Sequence, residues 1–342
     1  MPITIEDIAK EAGVSIATVS RVINGTKSVS PELKQRVMNS IEKNNFKPNT
    51  LARGLSKNKV NTIGVIVSDI SNFVISSVIK GCSEICRDRQ YTVVVCESGG
   101  DKKRERELLY HMDVEKVSGL LLCGFDVDKE TTELIMQMSY PTVLVTQRAS
   151  DGECILNTVS HNSEQLIIDG VSFLIANGHK RIAFIGGIEN DYYNGKMRKK
   201  GYEICMQEHG LEVPESYIVH GDFTFESGYN CMKKIYEENM LLPTAVMSCS
   251  DLMAVGALRY AQDQGLKVPE ELSILGVDDA DIAKYVRPAL STVRIDYLEE
   301  GKKATKELFD LIDTEQKYNG NLIYVDHKVI RRASVRVIEG SE

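Results

Sequence analysis

The chain runs to 342 residues with a formal net charge of −8, 42% hydrophobic and 26% charged residues. At about 100–200 residues per domain, that length excludes a single ordinary domain and points to two or three. No stretch of about 18 apolar residues could cross a bilayer. The opening Met1-Pro2-Ile3-Thr4-Ile5-Glu6-Asp7 reaches acidic residues at once, unlike a secretory leader, so a cytoplasmic protein without a membrane partner is expected.

The first sixty residues differ from the rest in charge. Ten Lys and Arg against five Asp and Glu give them a formal +5, which leaves −13 for the remainder of a chain at −8. A basic head on an acidic body is the asymmetry expected when one small domain meets phosphates. Thr4 precedes apolar residues at 5, 8, 9 and 12, a helical spacing, and its hydroxyl suits a helix cap with Asp7 at the positive end. Gly13 breaks that helix and Ser15 opens a second, with Val19, Val22 and Ile23 on one face. Two short helices joined by Gly13-Val14-Ser15 read as a helix-turn-helix. A third helix is expected from the cap Ser30 and first-turn Pro31 through Leu33, Val37 and Ile41 to about Asn45, with Phe46 closing the small core. Packing Val19, Val22 and Ile23 inward leaves Ile16, Ala17, Ser20 and Arg21 to face a major groove.

Thr4-Ile5-Glu6-Asp7-Ile8-Ala9-Lys10-Glu11-Ala12-Gly13-Val14-Ser15-Ile16-Ala17-Thr18-Val19-Ser20-Arg21-Val22-Ile23-Asn24-Gly25 closely resembles the opening of lac repressor (LacI/GalR) family regulators, and the resemblance continues through Phe46–Leu55 and the rest of the chain. It implies that Thr4 and Ser15 contact phosphate, that Ile16 and Ala17 read bases, and that Arg21 and Asn24 meet bases or backbone, with Thr18 and Ser20 on the same helix. Residues 49–56 would be the family's hinge helix, with Asn49 and Arg53 on DNA and Leu55 as an apolar wedge in the minor groove. Eight residues are too few to hold a helix alone in water, and Gly54 costs about 1 kcal/mol more, so this segment is expected to become helical only on DNA.

From Asn61 onward β-branched runs alternate with amphipathic stretches: 62–67, 92–96, 119–123, 142–145, 181–185, 245–248 and 272–277. Such alternation predicts parallel sheets flanked by helices, and nearly 280 residues fit two lobes better than one. The resemblance implies the same: an N-terminal all-α helix-turn-helix head plus an α/β two-lobed sensor similar to periplasmic sugar-binding proteins. The expected domains are 1–47 for the head, 48–60 for the hinge helix and linker, 61–160 with 291–322 for the first lobe, and 161–290 with 323–342 for the second. Eight cysteines show no C-x-x-C pair, and the i,i+4 pair Cys82 and Cys86 lacks further ligands, so free buried thiols and no metal are expected.

Ligands of such a fold sit at strand C-terminal ends. The candidate effector residues there are Asn72, Val74, Gln147, Arg148, His161, Arg198, Phe223, Ser250 and Asp278, with Asp251 read as a helix cap and Asp279 ambiguous. Carboxylates, Arg and Phe together suit a polyol: charged groups bind hydroxyls and the ring covers the C–H face. The chain departs from the family pattern at Ser71-Asn72-Phe73-Val74-Ile75, where aromatics give way to aliphatics or move to Phe73. It departs again at Gln147, His161 and Ser250, where Asp, Asp and Asn are usual. These changes suggest a less acidic pocket and open the way to an acidic sugar. Val286-Arg287-Pro288 resembles catabolite control proteins, whose corepressor is a phosphorylated carrier protein, so Arg287 is either a phosphoserine partner or half of a salt bridge at a lobe crossover.

Phosphate-loop, dinucleotide, zinc-protease and serine-hydrolase motifs are missing, so neither enzyme activity nor a cofactor is expected. The sequence therefore reads as a nucleoid-associated DNA-binding repressor of carbohydrate-related genes: a homodimer on a near-palindromic operator, controlled by a small ligand, most simply a sugar. The alternatives are a catabolite-control regulator and, more remotely, a transport-type sugar-binding protein.

Overall fold

The computed structural model describes residues 3–24, 29–44, 46, 61–124, 126–150, 155–316 and 318–339, in two compact units, 1–60 and 61–342. In the head, α1 (Ile5–Ala12), α2 (Ile16–Asn24) and α3 (Pro31–Lys43) pack around Ile8, Ala9, Ala12, Val19 and Val37, with Phe46 against them. Thr4 and Asp7 form a reciprocal capping box on α1, where the Asp7 N–H donates to Thr4 Oγ1 at 3.3 Å and the Thr4 N–H donates to Asp7 Oδ2 at 2.9 Å. Gly13 ends α1 at φ +62°, a left-handed conformation that costs glycine little and allows the tight turn. Arg36 on α3 ties the turn down by donating to the Ala12 carbonyl at 2.6 Å.

The second unit holds two sheets, each six-stranded among the described residues. The first has strand order β11-β5-β4-β3-β1-β2, built from β1 (Thr62–Val67), β2 (Thr92–Glu97), β3 (Gly119–Cys123), β4 (Thr142–Val145), β5 (Thr158–His161) and β11 (Leu322–Val325), all parallel. The second has order β12-β10-β9-β8-β6-β7, from β6 (Ile182–Gly186), β7 (Ile218–His220), β8 (Ala245–Ser248), β9 (Ser273–Asp278), β10 (Ser291–Ile295) and β12 (His327–Ile330), parallel except for the β10–β12 pair. Central strands such as β1 and β3 are near-continuous buried apolar runs, as strands covered on both faces require. α4 (Phe73–Asp88) and α12 (Tyr297–Thr314) pack on the first sheet's side, with Gly81 and Gly301 at their crossing.

The β-branched runs lie within a residue of the observed strands, but the lobe boundaries shift. β10 belongs to the second sheet, so the chain returns to the first lobe after Ile295 rather than at 291. β11 stays in the first sheet, so the last crossover falls between Val325 and His327 rather than at 322. The reason is hydrogen bonding. β10 bridges β9 and β12, and moving it would leave both ladders unpaired.

Candidate nucleic-acid interface and effector cleft

In the head, α2 turns Val19 fully inward and leaves Ile16 47% exposed, with Ala17 and Arg21 also exposed. Thr18 and Ser20 are half-buried. Ser15 accepts from the Thr18 N–H at 3.2 Å and its hydroxyl lies 2.9 Å from that of Thr18, so Thr4 and Ser15 both sit as hydroxyls at helix N-termini. Backbone N–H groups and the positive end of the helix dipole suit such a place to a phosphate. The side chain of Asn24, and the residues Asn49, Arg53 and Leu55 with the hinge segment 48–60, lie outside the described residues.

Between the two lobes lies a cavity of about 360 Å³. The first lobe lines it with Asp69, Asn72, Phe73, Val74, Ile75, Thr146, His161 and Tyr297, and the second with Asp191, Asn194, Arg198, Asp222, Phe223, Ser250 and Asp278. Asn72 caps α4 through the Val74 N–H at 2.9 Å. A five-residue π-turn, Tyr192–Lys196, precedes α8 (Met197–Glu208) and aims Asn194 and Arg198 into the cleft; such turns are rare and frequent at functional sites. Phe223 adopts φ +68° and lays its ring over Gly187, where any Cβ would strike it. Thr146, Asp278 and Asp279 also have positive φ, so backbone strain gathers at these strand ends.

Arg198, 3% exposed, is the hub. Its Nη1 donates to the Cys249 carbonyl at 2.6 Å, and Nη2 donates to His161 Nε2 at 3.0 Å and Asn194 Oδ1 at 3.1 Å. Guanidinium has no acceptor, so His161 Nε2 must accept, which assigns the ring as the neutral Nδ1–H tautomer facing Glu300 Oε2 at 3.4 Å. Burial holds the His161 pKa below its ordinary value, against the opposing pull of Glu300. The Tyr297 hydroxyl donates to Asp278 at 2.7 Å. The His161–Arg198 and Tyr297–Asp278 bonds both cross from lobe to lobe. Burial pushes the carboxyls of Asp278 and Asp191 up to about 6, although Arg198 pulls each back.

A family model described as "Bacterial regulatory proteins, lacI family" matches residues 4–49, and another described as "Periplasmic binding protein-like domain" matches 171–335. Catabolite control protein A of Priestia megaterium is 35% identical over 336 residues, which span 98% of this chain and 100% of that protein. The chain belongs to the lacI family of bacterial regulatory proteins. The ribose operon repressor of Escherichia coli (strain K12) is 33% identical over 294 residues, 85% of this chain and 87% of that one. Among solved structures, a lac repressor dimer bound to operator and the anti-inducer ONPF shares the fold at TM-score 0.89 and 24% identity, covering 98% of this chain and 100% of that chain.

For this lacI-family regulator, the structure brings Asn72, Val74, His161, Arg198, Phe223, Ser250 and Asp278 to one cleft. Two expected residues do not join them. Gln147 is fully buried behind the β3 end, where its Nε2 donates to the Leu122 carbonyl at 3.2 Å, and Arg148 reaches outward to the Tyr324 hydroxyl at 3.3 Å. The register of β4 decides this, because the chain bends at Thr146, φ +63°, before either side chain is set. Asp251 is not the cap of α10 (Asp251–Asp263). Ser250 is, accepting from Met253, while Asp251 accepts from Ala280 and Thr292 beneath the cleft. Asp279, itself buried, anchors an ion-pair group with the half-buried Arg294 and Arg332. Arg287 forms no crossover salt bridge among the described residues; it is exposed and donates to the carbonyls of 284–286. Phe73 restores an aromatic wall on the first lobe, and Asp69, Asp191, Asp222 and Asp278 keep the cleft acidic despite Gln147, His161 and Ser250. Sequence reasoning missed Asp191, Asn194, Tyr297 and Glu300. The first two were legible only as a loop after a strand, and the last two follow β10, a strand outside the β-branched runs read from the sequence.

Proposed function

We propose that this lacI-family regulator is a sequence-specific DNA-binding repressor of carbohydrate-related genes, acting as a homodimer on a near-palindromic operator and controlled by a small polyol in the cleft. The carrying observation is the lobe-to-lobe pair of bonds, His161–Arg198 and Tyr297–Asp278, in the walls of that cavity. A ligand that competes for those groups changes the lobe geometry, and coupling of about 1–3 kcal/mol alters operator affinity about 5–150-fold. Dimeric action is supported by the lac repressor dimer on operator, which shares the fold, and a carbohydrate theme by the ribose operon repressor. The protein works in the cytoplasm at the nucleoid and is not an enzyme. Among the described residues no helix is long and apolar enough to cross a membrane, and its relatives are transcriptional regulators. Selection of bound duplexes from a random pool with the full-length chain tests the reading. A near-palindromic consensus with steep salt dependence is expected; no preference among duplexes at moderate ionic strength defeats it.

A second reading is favoured by the 35% identity to catabolite control protein A: a phosphorylated carrier protein acts as corepressor. The exposed Arg287 offers a guanidinium to a phosphoserine. Adding a serine-phosphorylated carrier protein to the operator assay should then tighten binding, and the unphosphorylated protein should not.

A further inference from the structure

The charge and hydrogen-bond state of the cleft narrows what it accepts. Four carboxylates line it, Asp69, Asp191, Asp222 and Asp278, and Arg198 is its sole Lys or Arg among the described residues, a formal excess of three negative charges. His161 is held neutral, and Glu300 adds a further carboxylate directly behind it. Anionic ligands usually rely on a free guanidinium fork. Here both terminal nitrogens of Arg198 are already engaged by Cys249, His161 and Asn194. What remains of Arg198 is its Nε–H, buried and without a hydrogen-bond partner among the described residues. One such donor suits a hydroxyl oxygen and cannot grip a phosphate or carboxylate bidentately.

Asp191 supplies the opposite vacancy. It is 2% exposed, and its Oδ1 accepts the N–H groups of Tyr193 and Asn194, both at 2.9 Å, at the head of the π-turn. Its Oδ2 is buried with no hydrogen-bond partner among the described residues. A desolvated carboxylate oxygen lacking a donor is costly, and an ammonium group answers both its charge and its missing hydrogen bond. Phe73 and Phe223 give apolar faces on the two lobes, and about 360 Å³ lies at the small end of the usual range of about 300–1,000 Å³ for small-molecule sites.

We propose that the cleft takes a ligand of the amino-sugar class, a polyol carrying a protonated amine, with the ammonium at Asp191 and neighbouring hydroxyls at Arg198 Nε and Asp278. This rests on the reading of the cleft as the effector site and narrows it. It reverses the acidic-sugar expectation that the replaced residues suggested.

The test is titration calorimetry on the full-length protein with matched sugars: D-glucosamine, D-galactosamine and D-mannosamine, each against its neutral parent and its N-acetyl derivative, with glucose 6-phosphate as the anion. At least one amine should bind about tenfold or more tighter than both partners, because charge-assisted hydrogen bonds are roughly twice as strong as neutral ones. Asp191→Asn should bring that ratio close to one. The wild-type comparison decides the matter even if this variant does not fold. A neutral, N-acetylated or phosphorylated sugar binding tighter than its amine overturns the proposal, as does an amine preference that survives Asp191→Asn. A neutral sugar that binds tighter than every amine and shifts operator affinity ends this inference and leaves the cleft reading intact, whereas failure of every sugar to bind ends both.

Discussion

Along α2 of the head, the side chains that would meet a partner and those that hold the fold are different residues; in the cleft they are the same ones. α2 buries Val19 and offers Ile16, Ala17 and Arg21 outward, so reading and packing are divided between two faces of one helix. Arg198 and His161 are instead buried and Asp278 half-buried, all bonded to one another or to their neighbours across the lobes, and they still line the cavity. The contrast teaches where substitutions can be tolerated. A surface helix can change its outer face at little cost to the fold, whereas a buried polar network cannot lose a member without leaving the others unsatisfied.

The strongest way to break this comparison is Arg198→Ala. Removing the guanidinium leaves Asp278 and Asp191 without their counter-charge and His161 without its donor, so the sensor should lose about 3 kcal/mol in denaturant unfolding as well as its effector response. Unchanged stability with a lost response would mean that the cleft separates binding from folding as the head does. A smaller effect is expected at Glu105, buried against Gly124 at the cleft floor, whose carboxyl burial pushes up to about 7. Its folded pKa lies above the ordinary 4.5, so its contribution is fully present below about pH 4.5 and is lost as pH rises through about 7. Glu105→Gln should therefore be more stable than the parent by on the order of 2 kcal/mol at pH 8, with the gap closing toward pH 4–5. A gap that does not vary with pH would show that Glu105 is not the titrating group. The smallest effect sharpens the other side: Arg21→Ala should weaken operator binding about tenfold, roughly 1.4 kcal/mol, while thermal unfolding moves by less than about 0.5 kcal/mol. A large loss of stability there would put Arg21 in the fold of the head.

Much of the architecture was legible because it is written in local chemistry. The capping box at Thr4 and Asp7, the left-handed Gly13 and the Ser30-Pro31 start of α3 are short-range signals, and the structure reproduces each. The cleft was legible in part. Phe223 and Asp278 lie at strand ends and Arg198 at the start of α8, and they converge. Gln147 and Arg148 look equally suitable in sequence, yet the bend at Thr146 sends one behind the sheet and the other outward. Asp191 and Asn194 were hidden because a π-turn carries no apolar periodicity to announce it.

By itself, the sequence determined a basic three-helix head, an acidic α/β sensor and the family to which they belong, since helix caps, glycine turns and hydrophobic periods act over a few residues. Tertiary structure alone decided which sheet owns β10 and β11, which polar groups are joined across the lobes, and which atoms, Asp191 Oδ2 and Arg198 Nε, are left wanting a partner. Those outcomes depend on long-range pairing and on shared burial, where each hydrogen bond made by one residue removes a choice from another far away in the chain.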